Sequence, residues 1–93
     1  MKLRYQKRAL QQIDKALGYI AARSPQGAVH VEARLRAMAT LLQLQSFLGR
    51  KTSIPGVRRV FLTPYPYLID YYVGDDEIVI QRFRHTARKP VSD

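Results

Sequence analysis

Between Ile78 and Pro90 the sequence reads IVIQRFRHTARKP, an apolar run that passes directly into Arg82, Arg84, His85, Arg88 and Lys89. A second cationic pair, Arg58 and Arg59, stands in GVRRVFL. Guanidinium groups grip phosphates and carboxylates with a rigid fork, and an imidazole among them can carry a proton near neutral pH. Such a set can recognise an anionic partner. If the strands that carry these residues pair in a simple antiparallel way, Arg58, Arg59, Arg82, Arg84, His85 and Arg88 meet at one edge of a sheet. The bland alternative is a solvated basic face.

Other site chemistries find little support. With no cysteine in the chain, disulfides and thiolates are excluded. His30 and His85 are the only histidines, so neither a metal site nor a cofactor is expected, and His30 reads as a surface or packing residue on a helix. Asp75, Asp76 and Glu77 crowd one turn and read as a solvated hairpin tip. Ser24, Ser46, Ser53 and Ser92 lack a nucleophile-elbow context, and Gly49 and Gly56 lack the spacing of a phosphate-binding loop.

Ninety-three residues make one domain, 1–93, with 86–93 as a loose tail. Sixteen Lys and Arg oppose seven Asp and Glu, a net charge of +9 that suits nucleic acid, the ribosome or an acidic protein partner. No apolar run approaches the roughly 20 residues of a membrane span, and no apolar leader core follows MKLRYQKRAL, so a cytoplasmic protein is expected.

The elements that must position the cations are legible from periodicity. MKLRY alternates as a short strand. Leu10, Ile13, Leu17 and Ile20, widened by Ala9 and Ala16, mark a first helix. Ser24 followed by Pro25 signals the start of a second, with Ala28, Val31, Leu35, Met38 and Leu42 along one face. So short a break makes an antiparallel helix hairpin. FLGRKTSIPG reads as a loop. VRRVFLT, YLIDYYV and EIVIQRF then read as a three-stranded antiparallel meander. The expected fold is α+β, in the order β-α-α-β-β-β, with the hairpin on one sheet face.

Strict alternation in the last two strands sets Leu68 and Tyr72 opposite Tyr67, Ile69, Tyr71 and Val73, and Ile78 and Ile80 opposite Val79 and Phe83. Both faces would then be apolar, and only one has helices to cover it. Leu68, Tyr72, Ile78 and Ile80 are accordingly candidates for a protein-binding face.

Taken in order, MKLRYQKRALQQIDKALGYIA, VEARLRAMATLLQLQSFLGR and PGVRRVFLTPYPYLIDYYVGDDEIVIQRFRHTARKP resemble the ParE branch of the RelE/ParE toxin superfamily over essentially the whole chain. The most specific pieces are LGR after the second helix, PYLIDYYV, and the strand that ends in His-x-x-Arg. The resemblance implies the toxin of a type II toxin–antitoxin module, held inactive by a cognate antitoxin that covers Leu68, Tyr72, Ile78 and Ile80. It also implies that the freed toxin binds DNA gyrase, through Arg58, Arg59, Arg82, Arg84, His85 and Arg88, and is not itself an enzyme.

The RelE branch instead cuts mRNA on the ribosome. Its third-strand arginine is matched here by Leu68, and its tail tyrosine has no counterpart after Tyr72. Its second-strand lysines are replaced by Arg58 and Arg59, and its final arginine is matched by Arg88. A reduced nuclease set of Arg59, His85 and Arg88 is the alternative the resemblance leaves open, as is a toxin fold kept only for interaction.

Overall fold

The computed structural model describes residues 1–87. Of the sequence-predicted cations, Arg88 and Lys89 lie outside that range, as does all but the start of the predicted tail.

The chain runs β1 (Lys2–Tyr5), α1 (Lys7–Arg23), α2 (Pro25–Leu44), β2 (Arg50–Lys51), β3 (Val57–Phe61), β4 (Tyr67–Val73) and β5 (Glu77–His85). This is the expected α+β order with one addition. Arg50 and Lys51, within the stretch read as a loop, form a two-residue edge strand antiparallel to β3. The strands make one sheet in the order β1-β5-β4-β3-β2. The predicted meander is β3-β4-β5, but the sheet is mixed, because β1 pairs with β5 in parallel. A parallel neighbour requires a long crossover connection, which the helix hairpin and the meander together provide.

Both helix boundaries have local causes. Ser24 ends α1 and caps α2, its Oγ accepting from the Gly27 N–H at 3.0 Å, with Pro25 at the first helical position. Ala9, Ile13, Val31, Leu35, Met38 and Leu42 pack with Val60, Ile69, Tyr71, Ile78, Ile80 and Phe83 in a single core. Leu10, expected in the stripe of α1, is instead half exposed. It lies about 100° around the helix from Ala9, outside the sector centred on Ala9, Ile13 and Ala16.

The main departure lies in β5. Asp70 pairs with Arg82 and Tyr71 with Ile80, so Gln81 has no partner and forms a bulge. One extra residue reverses the alternation beyond it. Ile78, Ile80 and Phe83 therefore share the helix side, and all three are buried in the core. The expectation that Ile78 and Ile80 join Leu68 and Tyr72 on an uncovered face is thus corrected, because strict alternation does not survive the bulge. Nor is the open face broadly apolar. Val57, Leu68 and Val79 are buried there, leaving Phe61 and Tyr72 as its exposed large apolar residues among those described.

Candidate functional site

Residues paired directly across a sheet project to the same side, so the strand register assigns each cation to a face. Arg82 pairs with Asp70, Asp70 with Arg59, and Arg59 with Arg50. These four form a transverse row across β5, β4, β3 and β2 on the side away from the helices. The next row holds Arg84, Leu68 and Phe61, and the row on the other flank holds Arg4, Val79, Tyr72 and Val57. The guanidinium of Arg50 lies 5.0 Å from the centre of the Phe61 ring.

The row is fixed at its centre. Arg59 donates from Nε to Asp70 Oδ1 at 2.7 Å and from Nη2 to Oδ2 at 3.1 Å. The paired side chains are only 16% and 8% exposed. A bidentate pair this sheltered holds its geometry far better than a surface ion pair. Above it is a cavity of about 430 Å³ lined by Arg8, Thr52, Ser53, Ile54, Val57, Arg59, Asp70, Gln81 and Arg82. Arg8, Gln81 and Arg82 contribute from α1 and β5, and Thr52, Ser53 and Ile54 from the loop after β2.

The predicted rim is therefore divided between two faces. Arg59, Arg82 and Arg84 lie on the open face. Arg58 pairs with Tyr71 and lies on the other, where its Nη1 donates to the Gly49 carbonyl at 2.7 Å and to the Phe47 carbonyl at 3.3 Å. His85 pairs with Tyr67 on the helix side, its ring edge-on to that tyrosine at 5.3 Å, and its Nδ1 accepts from the Ala87 N–H at 3.0 Å. Within the nuclease set of Arg59, His85 and Arg88, the two described members do not converge. The sequence reading placed them together because it treated a sheet edge as a face.

Arg58 serves the segment that carries Arg50. Beside it, the Tyr71 hydroxyl donates to the Ser46 carbonyl at 2.9 Å and accepts from the Gly49 N–H at 2.8 Å. Burial pushes the Tyr71 hydroxyl pKa up, and the Gly49 N–H and the Arg58 charge only partly oppose this. A Cβ on Gly49 would lie 2.7 Å from the Tyr71 Oη and 2.8 Å from the Arg59 carbonyl, so the LGR turn admits glycine alone without rearrangement.

Sequence reasoning missed a second groove. Phe47, Lys51, Thr52, Ile54, Pro55, Gly56, Val57, Arg58 and Val73 enclose about 330 Å³ beside the first cavity. Phe47 and Ile54 on its wall are 66% and 56% exposed. The available signal was apolar residues inside FLGRKTSIPG, a stretch dismissed as a loop for want of periodicity.

Among the described residues no group of three or more His, Cys, Asp or Glu is placed to hold a metal ion, and no helix is long and apolar enough to cross a membrane. Residues 3–90 match the family model for the ParE toxin of the type II toxin–antitoxin system parDE. The chain belongs to the ParE toxin family. Its relatives include toxin RelE2 of Caulobacter vibrioides, 36% identical over 87% of this chain and 90% of that protein. They also include the putative toxin Y4kP of Sinorhizobium fredii, 31% identical over 81% and 78%. A solved chromosomal ParDE toxin–antitoxin system from P. aeruginosa superimposes with a TM-score of 0.79 at 24% identity, covering 91% of this ParE-family chain and 95% of that one. The last match speaks to the fold.

Proposed function

We propose that this toxin disables DNA gyrase by binding it, and that its antitoxin prevents the contact. The observation that carries this reading is the separation of Arg59 from His85 on opposite sides of one sheet. A phosphate undergoing cleavage needs its charge stabiliser and its proton carrier within hydrogen-bond reach of the same atoms. Arg59 is also engaged by Asp70. Leu68 at the place of the RelE-branch arginine, and the lack of any tyrosine after Tyr72, support the same conclusion. The open-face members of the predicted target-binding set, Arg59, Arg82 and Arg84, are the contacts expected to matter, with Arg58 holding the Phe47–Gly49 turn. Among the predicted antitoxin-binding residues, exposed Tyr72 is retained, while Ile78 and Ile80 belong to the core. Exposed Phe47 and Ile54 give the antitoxin the groove that Tyr72 alone does not.

The test is gyrase supercoiling of a relaxed plasmid with ATP and purified free toxin. Inhibition with cleaved DNA accumulating, reversed by antitoxin, is expected. Unaffected gyrase together with mRNA cut in a translating extract would overturn the reading in favour of the nuclease.

A further inference from the structure

We propose that the open face of the sheet is a binding surface for single-stranded DNA, with the phosphodiester backbone seated along the transverse arginine row. The choice of DNA over RNA rests on the gyrase reading. The surface itself rests on the register and the cavity.

Three features coincide. The row Arg82–Asp70–Arg59–Arg50 crosses four strands, and neighbouring strands lie about 4.8 Å apart, so three arginines, with Asp70 between two of them, are spread over roughly 15 Å. The trough above this row has Arg8 and Arg82 at one end and the hydroxyl-bearing Thr52 and Ser53 at the other. The two rows that flank it each present one aromatic ring, Phe61 at 38% exposure and Tyr72 at 41%. Cations along a groove with aromatic rings on either side match what an unpaired strand requires, phosphates in the groove and bases stacked on rings. A duplex hides its base faces and would leave those rings unused.

Charge accounting favours a polyanion. Asp70 and Glu77 are the carboxylates that the register places on this face, and each already has a cation, Asp70 in Arg59 and Glu77 in Arg4 at 3.1 Å. Arg50 and Arg82 remain in excess beside the trough, with Arg8 in its wall. Asp70 sets the orientation of the Arg59 fork, and the cations around it outnumber it.

The experiment is fluorescence anisotropy of a labelled mixed-sequence strand of about 12 nucleotides, a length suited to one small domain, with purified free toxin. Titrations at about 50 and about 200 mM salt report how many phosphates are neutralised. Replacing two row arginines, Arg50→Gln with Arg82→Gln, should weaken binding about tenfold or more at the lower salt and flatten the log–log salt slope by about 1.4. Tyr72→Ala should weaken it by about tenfold through lost stacking.

A control removes the same charge from α1, Lys15→Gln with Arg23→Gln, and should change affinity less than about threefold on the same scale. Equal losses in both charge variants would reduce the binding to general attraction by a +9 protein and overturn the proposal. Tighter binding to the duplex, or clearly tighter binding to RNA of the same sequence, would also overturn it. Circular dichroism of each variant separates lost contacts from lost fold. Wild-type toxin that binds the strand as expected yet leaves gyrase supercoiling intact would sink the gyrase reading alone. Gyrase inhibition without strand binding would sink this inference alone.

Discussion

The two faces of the sheet are built from the same strands, residue by alternate residue, and obey different rules. On the helix side Ile69, Tyr71, Ile78, Ile80 and Phe83 are fully or almost fully buried, and volume decides what fits. On the open side Arg50, Arg59, Arg82 and Arg84 stand among two half-exposed aromatic rings, and charge dominates. The first face makes the fold and tolerates other sequences of the same shape. The second holds the residues that the proposals above assign to a partner. Gln81 maintains the division, since without the bulge Phe83 and Arg82 would exchange sides.

The sharpest way to break the contrast is to truncate one ring on each face. Phe83→Ala should cost about 3–5 kcal/mol, through lost burial, lost stacking on Tyr67 and the cavity left behind. Against the stability typical of a small domain, that leaves little folded protein unless antitoxin is present. Tyr72→Ala on the open face should cost about 1 kcal/mol or less, because its ring is already part exposed. Urea unfolding of both variants gives the comparison. Similar losses would mean that the open face is a second core.

The next largest effect concerns the buried Arg59–Asp70 pair. Asp70→Ala leaves Arg59 nearly buried without its carboxylate and should destabilise the chain by about 3 kcal/mol. Replacing both partners with apolar residues of similar size, Asp70→Leu with Arg59→Met, should come close to neutral in the same unfolding experiment. The double variant should nevertheless lose toxicity. Stability restored with toxicity gone would identify the pair as serving the partner; stability still low would make it a scaffold element.

Tyr71 links the faces, because it anchors the turn from which Arg50 projects. Its folded pKa lies above its ordinary value near 10, as does that of Tyr5, which burial also raises while Arg36 pulls it back. The neutral phenol is thus the form favoured by folding. The associated stability is complete below the unfolded pKa and is lost as pH rises through the folded one. Stability should therefore fall above about pH 10. Tyr71→Phe should cost about 1–2 kcal/mol at neutral pH, through the hydrogen bonds to Ser46 and Gly49. It should also shallow the alkaline decline, which pH-resolved urea titrations measure.

How far the sequence led can be judged from particular residues. Helix periodicity and the Ser24–Pro25 signal located both helices, since those cues are local. Valine- and tyrosine-rich runs located β3, β4 and β5 for the same reason. The parallel docking of β1 was not legible, because pairing between residues 2 and 77 is a property of the whole fold. Neither was the bulge. Gln81 resembles any polar strand residue, and the group that stabilises the irregular backbone comes from α1, where Gln12 Oε1 accepts from the Phe83 N–H at 2.9 Å. That one unseen residue reassigned Ile78 and Ile80. The arginines were found by composition, but their division into an open-face row and a turn anchor required the register.

The smallest expected effect separates burial from pairing. Arg4 and Glu77 form an ion pair at 3.1 Å, geometrically similar to Arg59 and Asp70, but their side chains are 60% and 37% exposed. Water screens the attraction, and ordering two long side chains offsets much of what remains, so a double-mutant cycle of Arg4→Ala and Glu77→Ala should give a coupling of about 0.2–1 kcal/mol. Raising salt from about 0.1 to about 1 M, which shortens the screening length from roughly 10 to 3 Å, should shrink that coupling toward zero. The same change should barely move the Arg59–Asp70 coupling. If both couplings fell together, the trough above Asp70 would have to be as wet as the sheet edge. A groove that wet would hold a phosphate by loose attraction, and the fixed guanidinium row would lose its advantage over any other cluster of cations.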